Sequence, residues 1–186
     1  MGYAALTHPP MLKQWIELIK WDEIQVSDSK HKIILVADDS ESDRDIIERA
    51  IRKGRMHCTL KKVGDGEQLL QYLQRQPPFN DEQLYPWPDL VLLDINMPRL
   101  NGKEALRQLR QLPACKLLPV VILTTSSREK DVLESYKLGV NGYITKPIES
   151  KDFINVVLQL ETFWLELAVR PPVRRDPGES PENTGI

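Results

Sequence analysis

The sequence predicts an α/β domain: a mainly parallel five-stranded sheet, doubly wound, with helices on both faces. Three observations carry the prediction. From about Lys30 to Leu167, apolar runs alternate with amphipathic helical stretches, the pattern of successive βαβ units. The run Val91-Leu92-Leu93 is unbroken, as expected of a strand covered on both faces. Acids close two of these runs, Asp38-Asp39 after Ile33–Ala37 and Asp94 at the end of Leu90–Asp94. That places charge at the carboxyl edge of the sheet, where open α/β sheets put their ligand sites.

The first strand is read over Ile33–Ala37, and a helical pattern follows over Ser42–Arg52, with Asp39 or Ser40 as its candidate cap. A second strand over Thr59–Val63 turns at Gly64-Asp65-Gly66 into a helix over Glu67–Gln76. The loop from Pro77 to Pro88 is long and rich in proline and aromatic residues, and loops of that length are usually functional or family-specific. The central strand stops after Asp94, because Pro98 has no N–H for a ladder hydrogen bond. Asn101-Gly102 opens a helix over Lys103–Gln111. A fourth strand over Val120–Thr124 runs into Thr125-Ser126-Ser127 and a helix over Glu129–Leu138. Asn141-Gly142 introduces the last strand, Gly142–Ile144, and the last helix spans Lys151–Leu167. Five strands and five helices in about 135 residues suit a flavodoxin-like sheet of order 2-1-3-4-5.

The 186 residues, 41% hydrophobic, suffice for one sizeable core and are too few for two ordinary domains. We divide them into an extension over 1–29, a domain over 30–169 and a proline-rich tail over 170–186. The tail carries four prolines from Pro171 onward and no periodicity, so it reads as disordered. In the extension, Leu12, Trp15, Ile16 and Ile19 fall at helical spacing behind Pro9-Pro10. Three readings of it stay open: a helix covering the domain, residues upstream of a true start at Met11, or a partner-binding helix. A net charge of −2 gives no field for nucleic acid or an anionic membrane. No apolar run approaches the roughly 20 residues of a membrane span. Cys58 and Cys115 lack metal or redox spacing, His8, His31 and His57 lack ligand spacing, and no secretory leader is evident. A soluble cytoplasmic protein is the expectation.

Three carboxylates on one rim are costly without a cation, and hard Mg²⁺ is the ordinary partner of oxygen ligands that also handle phosphate. With Thr124 at a fourth strand end and Lys146-Pro147 beyond the fifth, residues 32–168 resemble the receiver domain of two-component response regulators. Each feature alone has a bland reading, as a helix cap, a loop or a strand end; their joint order around Asp94 is what carries the resemblance. It implies that Asp94 is the phosphoacceptor, taking a phosphoryl group from a phosphohistidine. It further implies Mg²⁺ on Asp39, Asp94 and the Asn96 carbonyl, with Asp38 holding metal-bound water. Lys146 and Thr124 would serve the phosphoryl oxygens, and Pro147 would follow a cis peptide bond. Thr124 and Tyr143 would report phosphorylation to the surface. An aspartate-nucleophile phosphohydrolase is the competing class, but it needs a second acid two residues after the nucleophile, where this chain has Asn96. A receiver-like fold that had lost phosphorylation would lack one of these residues, and none is missing.

No DNA-binding or enzymatic output region follows the last helix, so a non-enzymatic protein signalling by protein contact or onward phosphotransfer is expected. In that helix Phe153, Val157, Leu160, Trp164 and Leu167 form one apolar face and Ile154, Leu158 and Leu165 a second. A helix packed only on its own sheet needs one face, which predicts a homodimer through Phe153, Val157, Leu160, Phe163 and Trp164. The run Leu123–Ser127, the long loop before the central strand and Phe163-Trp164-Leu165 leading to Arg170-Pro171-Pro172 resemble the cyanobacterial phytochrome-associated regulators. That resemblance implies a phytochrome histidine kinase as partner; a receiver-like binding module for a non-phytochrome partner is the alternative.

Overall fold

The structure, a computed structural model, describes residues 31–54 and 58–168. The extension with its Leu12–Ile19 pattern and the proline-rich tail lie outside the described residues. Five parallel strands form one sheet in the order β2-β1-β3-β4-β5. They are β1 (Lys32–Ala37), β2 (Cys58–Val63), β3 (Leu90–Leu93), β4 (Val120–Thr124) and β5 (Gly142–Thr145). The helices are α1 (Glu41–Lys53), α2 (Gly66–Leu73), α3 (Gly102–Gln111), α4 (Glu129–Lys137) and α5 (Ser150–Glu161). The expected fold and strand order are therefore present.

Alternation along the three inner strands builds two cores. Leu35, Ala37, Val91, Leu93, Val120 and Ile122 face one side, where they meet Leu69 and Leu73 of α2 and Leu106 and Leu109 of α3. Ile34, Val36, Leu90, Leu92, Val121 and Leu123 face the other, against Ile47 and Ile51 of α1 and Phe153, Val157 and Leu160 of α5. Strands buried on both faces have to read as continuous apolar runs, and these do.

Local chemistry fixes the starts of α1, α2 and α3. The side chains of Ser40, Asp65 and Asn101 each accept a backbone N–H three residues on, from Asp43, Gln68 and Glu104. The long loop is packed rather than loose. Tyr72, Phe79 and Tyr85 form an aromatic cluster with ring centroids 5.1–5.8 Å apart, and the Tyr72 hydroxyl donates to the Pro86 carbonyl at 2.7 Å. Arg110 pins the opposite end of the sheet. Its guanidinium donates to the carbonyls of Cys115, Leu118 and Gly139 and to Asn141 Oδ1, at 2.8–3.1 Å.

The last helix departs from the expected periodicity. After Glu161 the backbone widens into a π-helical segment over Thr162–Leu167. The wider turn takes one more residue, so the buried position moves from Trp164 to Leu165, which is 6% exposed, while Leu167 is 63% exposed. The expected assignment of Leu165 to an outer face and Leu167 to the inner one is thereby reversed. The expected dimer surface also shrinks. Phe153, Val157 and Leu160 belong to the core between α5, α1 and the sheet, and they are at most 8% exposed. A side chain spent on its own core is not free for a second copy. Of the five, Phe163 is exposed and Trp164 partly so.

Candidate functional site

Strand register assembles the site. Ala37 pairs with Leu93 across β1 and β3, so the next residues, Asp38 and Asp94, emerge side by side at the carboxyl edge. The Asp94 N–H donates to the Ala37 carbonyl at 2.9 Å, which ties the two ends together. Across β4 and β5, Thr124 pairs with Thr145, and the Lys146 N–H donates to the Thr124 carbonyl at 2.7 Å. Lys146 therefore enters from the opposite flank.

Oxygen atoms of Asp38, Asp39 and Asp94 lie within 4.8 Å of one another, Asp38 and Asp94 buried and Asp39 exposed. The Lys146 ammonium is 2.7 Å from Asp38 Oδ2, 2.8 Å from Asp43 Oδ2 and 3.4 Å from Asp94 Oδ2. Burial is the largest influence on Lys146 and opposes its charge. The three carboxylates outweigh it and hold the ammonium above the usual lysine range. Burial also pushes the Asp38 carboxyl up, against the pull of Lys146 and of the Ser40 N–H that it accepts. The donor set is all oxygen, open on the Asp39 side and short of positive charge, which fits a hard divalent cation.

Thr124 is fully buried, and its hydroxyl oxygen accepts the Ser126 N–H at 3.4 Å. In that role the hydroxyl keeps its own proton to donate. Ser126 is a junction. Its carbonyl accepts the Tyr143 hydroxyl at 2.9 Å and its own hydroxyl donates to Asp131 Oδ2 at 2.6 Å. Asp131 also takes Lys103 Nζ and Arg128 Nε, both at 2.9 Å. Led by the Ser126 hydroxyl, these donors hold the Asp131 carboxyl well below the usual carboxylate range. Asn96 is exposed two residues past Asp94.

The structure thus gathers Asp38, Asp39, Asp94 and Lys146 at one point, with Thr124 and Tyr143 joined through Ser126 beside it. The Lys146–Pro147 bond departs from expectation. Among the described residues the cis peptide bond is Pro77–Pro78, and Lys146–Pro147 is trans. The two isomers of an X-Pro bond differ by only about 0.5–1 kcal/mol, and Lys146 already reaches three carboxylates in the trans form. Asp43 was not among the expected site residues. The spacing Ser40-x-x-Asp43 signals a capped helix start, and side chains in a first turn tilt back toward the helix N-terminus, here the site.

An α/β sheet of this order with acids ending its first and third strands, and a lysine beyond its fifth, defines a receiver domain. The chain belongs to the response regulator receiver domain family, whose pattern it matches over residues 34–158. It is similar to the response regulator Rcp1 of Synechocystis sp., 38% identical over 140 residues that cover 75% of this chain and 93% of that protein. The solved structure of the phosphorylated cyanobacterial phytochrome response regulator RcpA superposes with a TM-score of 0.72 at 35% identity, covering 76% of this chain and 99% of that one. The Mn²⁺-bound form of Rcp1 gives 0.70 at 38% identity, covering 75% and 99%. The chain is a signalling protein of the two-component phosphorelay type; receiver domains bind a divalent metal, and an acidic cluster that could hold one is present among the described residues. Among the described residues no helix is long and apolar enough to cross a membrane.

Proposed function

We propose that this chain accepts a phosphoryl group on Asp94 from a sensor histidine kinase and signals by protein contact or onward phosphotransfer. The observation that carries the reading is the Asp94 carboxylate, buried beside two further acids with the Lys146 ammonium at 3.4 Å. Asp94 attacks the phosphorus of a phosphohistidine; the new P–O bond replaces the P–N bond, and the departing imidazole takes up a proton. Asp38, Asp39, Asp94 and the Asn96 carbonyl would hold a magnesium ion, which would offset carboxylate repulsion and charge on the phosphoryl oxygens. Lys146 pairs with one phosphoryl oxygen and Thr124 donates its hydroxyl to another. Turning Thr124 toward the phosphoryl group deprives the Ser126 N–H of its acceptor. The displaced Ser126 then loosens its carbonyl from Tyr143 and its hydroxyl from Asp131.

Similarity to phytochrome response regulators supports a phytochrome as the kinase. The domain limits 30–169 and a cytoplasmic setting are part of the same proposal, the latter supported by two free thiols. Incubation with acetyl phosphate and Mg²⁺ should add one acid-stable, base-labile phosphoryl group per chain, and none to Asp94→Asn. Equal labelling of the two proteins would refute the assignment. A panel of phytochrome and other histidine kinases, assayed for transfer, tests the partner.

A further inference from the structure

Lys146 has three N–H donors and three carboxylate partners, and one partner lies outside the acidic cluster. Asp38 and Asp94 belong to that cluster; Asp43 does not. Asp43 comes from the first turn of α1, with its side chain about a quarter exposed where that of Lys146 is 4% exposed. Its own backbone N–H is capped by Ser40 Oγ, so the helix start that aims it is fixed independently of its carboxylate.

We propose that Asp43 is a positioning residue that anchors the Lys146 ammonium from outside the metal cluster. A cation entering among Asp38, Asp39 and Asp94 competes with the ammonium for oxygens of Asp38 and Asp94. An ammonium this buried is costly once its partners are taken. Asp43 supplies an acceptor that the metal does not claim. Lys146 can therefore release Asp38 and Asp94 without leaving the site, and remains in place for a phosphoryl oxygen on Asp94. Without Asp43 the lysine would hold the two cluster carboxylates more tightly, and metal would have to displace it.

The proposal rests on the phosphoacceptor reading for the presence of the metal, and calorimetric titration of the full chain with MgCl₂ alone separates the two. Asp43→Ala should bind Mg²⁺ about 10- to 100-fold more weakly than wild type, on the order of one charge-assisted hydrogen bond. Asp43→Asn keeps an oxygen acceptor and should recover most of that loss. In a Lys146→Met background, Asp43→Ala should have no further effect. A bare charge effect predicts the opposite pattern, no rescue by asparagine and full persistence without the lysine, and would overturn the proposal. Unchanged affinity in Asp43→Ala would overturn it too. Should the alanine variant melt early, the asparagine variant decides alone, because the proposal requires near wild-type affinity despite the lost charge. Failure of the wild type to bind Mg²⁺ would instead strike the underlying reading.

Discussion

A methyl group on Gly102 would collide with the Asp94 carbonyl oxygen and come within 2.9 Å of Ile95 Cα. The start of α3 is seated that closely on the strand end bearing Asp94, the proposed phosphoacceptor, with the Gly102 N–H donating to the Ile95 carbonyl at 2.9 Å. Only glycine lets two backbones approach so far. Gly102→Ala should therefore cost about 2 kcal/mol, roughly a 5 °C fall in Tm, and slow phosphorylation by acetyl phosphate by displacing Asp94. Thermal melting with a rate measurement checks it, and a variant of wild-type stability and rate would show that the turn can relax. The same scale shows what a sequence discloses. Asp38, Asp94, Thr124 and Lys146 are legible because each follows a run whose end is sharp, and parallel strands bring such ends to one edge. Asp43 and the Ser126 junction are not. Their roles depend on helix tilt, which brings Asp43 to Lys146 from 103 positions away, and on loop closure, which brings Ser126 to Tyr143.

Among the helices, α4 is held differently from the rest. Its buried residues are polar, Asp131 and Ser135, while Leu133 and Tyr136 are exposed. It is fastened by Lys103 of α3, whose ammonium lies 2.9 Å from Asp131 and 2.6 Å from Glu134, and by the Ser126 contact. A helix fixed by polar links rather than a broad apolar face opens more readily, so α4 amides should exchange with solvent faster than those of α3. The Asp131 carboxyl has a lower pKa folded than unfolded. Its contribution is then fully present above the ordinary carboxylate range and is lost as pH falls toward the folded value. Asp131→Asn should destabilise the protein by about 2 kcal/mol at pH 7, and the gap to wild type should narrow below about pH 4. Urea titrations across that range check it, and a gap that widens in acid would contradict the sign. At this scale the strands and helices were legible to within a few residues because their periods are regular. The π-helical turn was not, because periodicity arguments assume a constant turn and one added residue moves every later side chain to a new face.

For the whole molecule the open question is what covers the apolar surface beyond α5. Phe163 is 52% exposed and stacks edge-to-face on Trp164 at 5.3 Å, and Leu167 is 63% exposed close by in the same segment. Earlier in α5, Ile154, Val156 and Leu158 are only partly buried, Ile154 and Val156 against the core. Exposed aromatic and aliphatic groups gathered in this way mark interaction sites more often than they occur idly. We propose that a second copy of the chain covers them through a two-fold contact, since one patch facing itself closes without leaving an open end. The interface is narrower than the helical periodicity implied, because Phe153, Val157 and Leu160 are committed to the core. With fewer residues sharing the contact, each should count for more. Phe163→Asp buries a charge against an apolar partner surface, and losing an aromatic anchor typically costs 2 kcal/mol or more, so dimer affinity should fall at least about 30-fold. Sedimentation velocity of the full chain at tens of micromolar should find a dimer for the wild type and a monomer for the variant. Because Phe163 belongs to the segment after α5 and not to the cluster of Asp38, Asp39 and Asp94, the variant should still accept one phosphoryl group from acetyl phosphate, which separates loss of assembly from loss of fold. A wild type that stays monomeric at those concentrations, or a variant that still dimerises, would assign the patch to another partner.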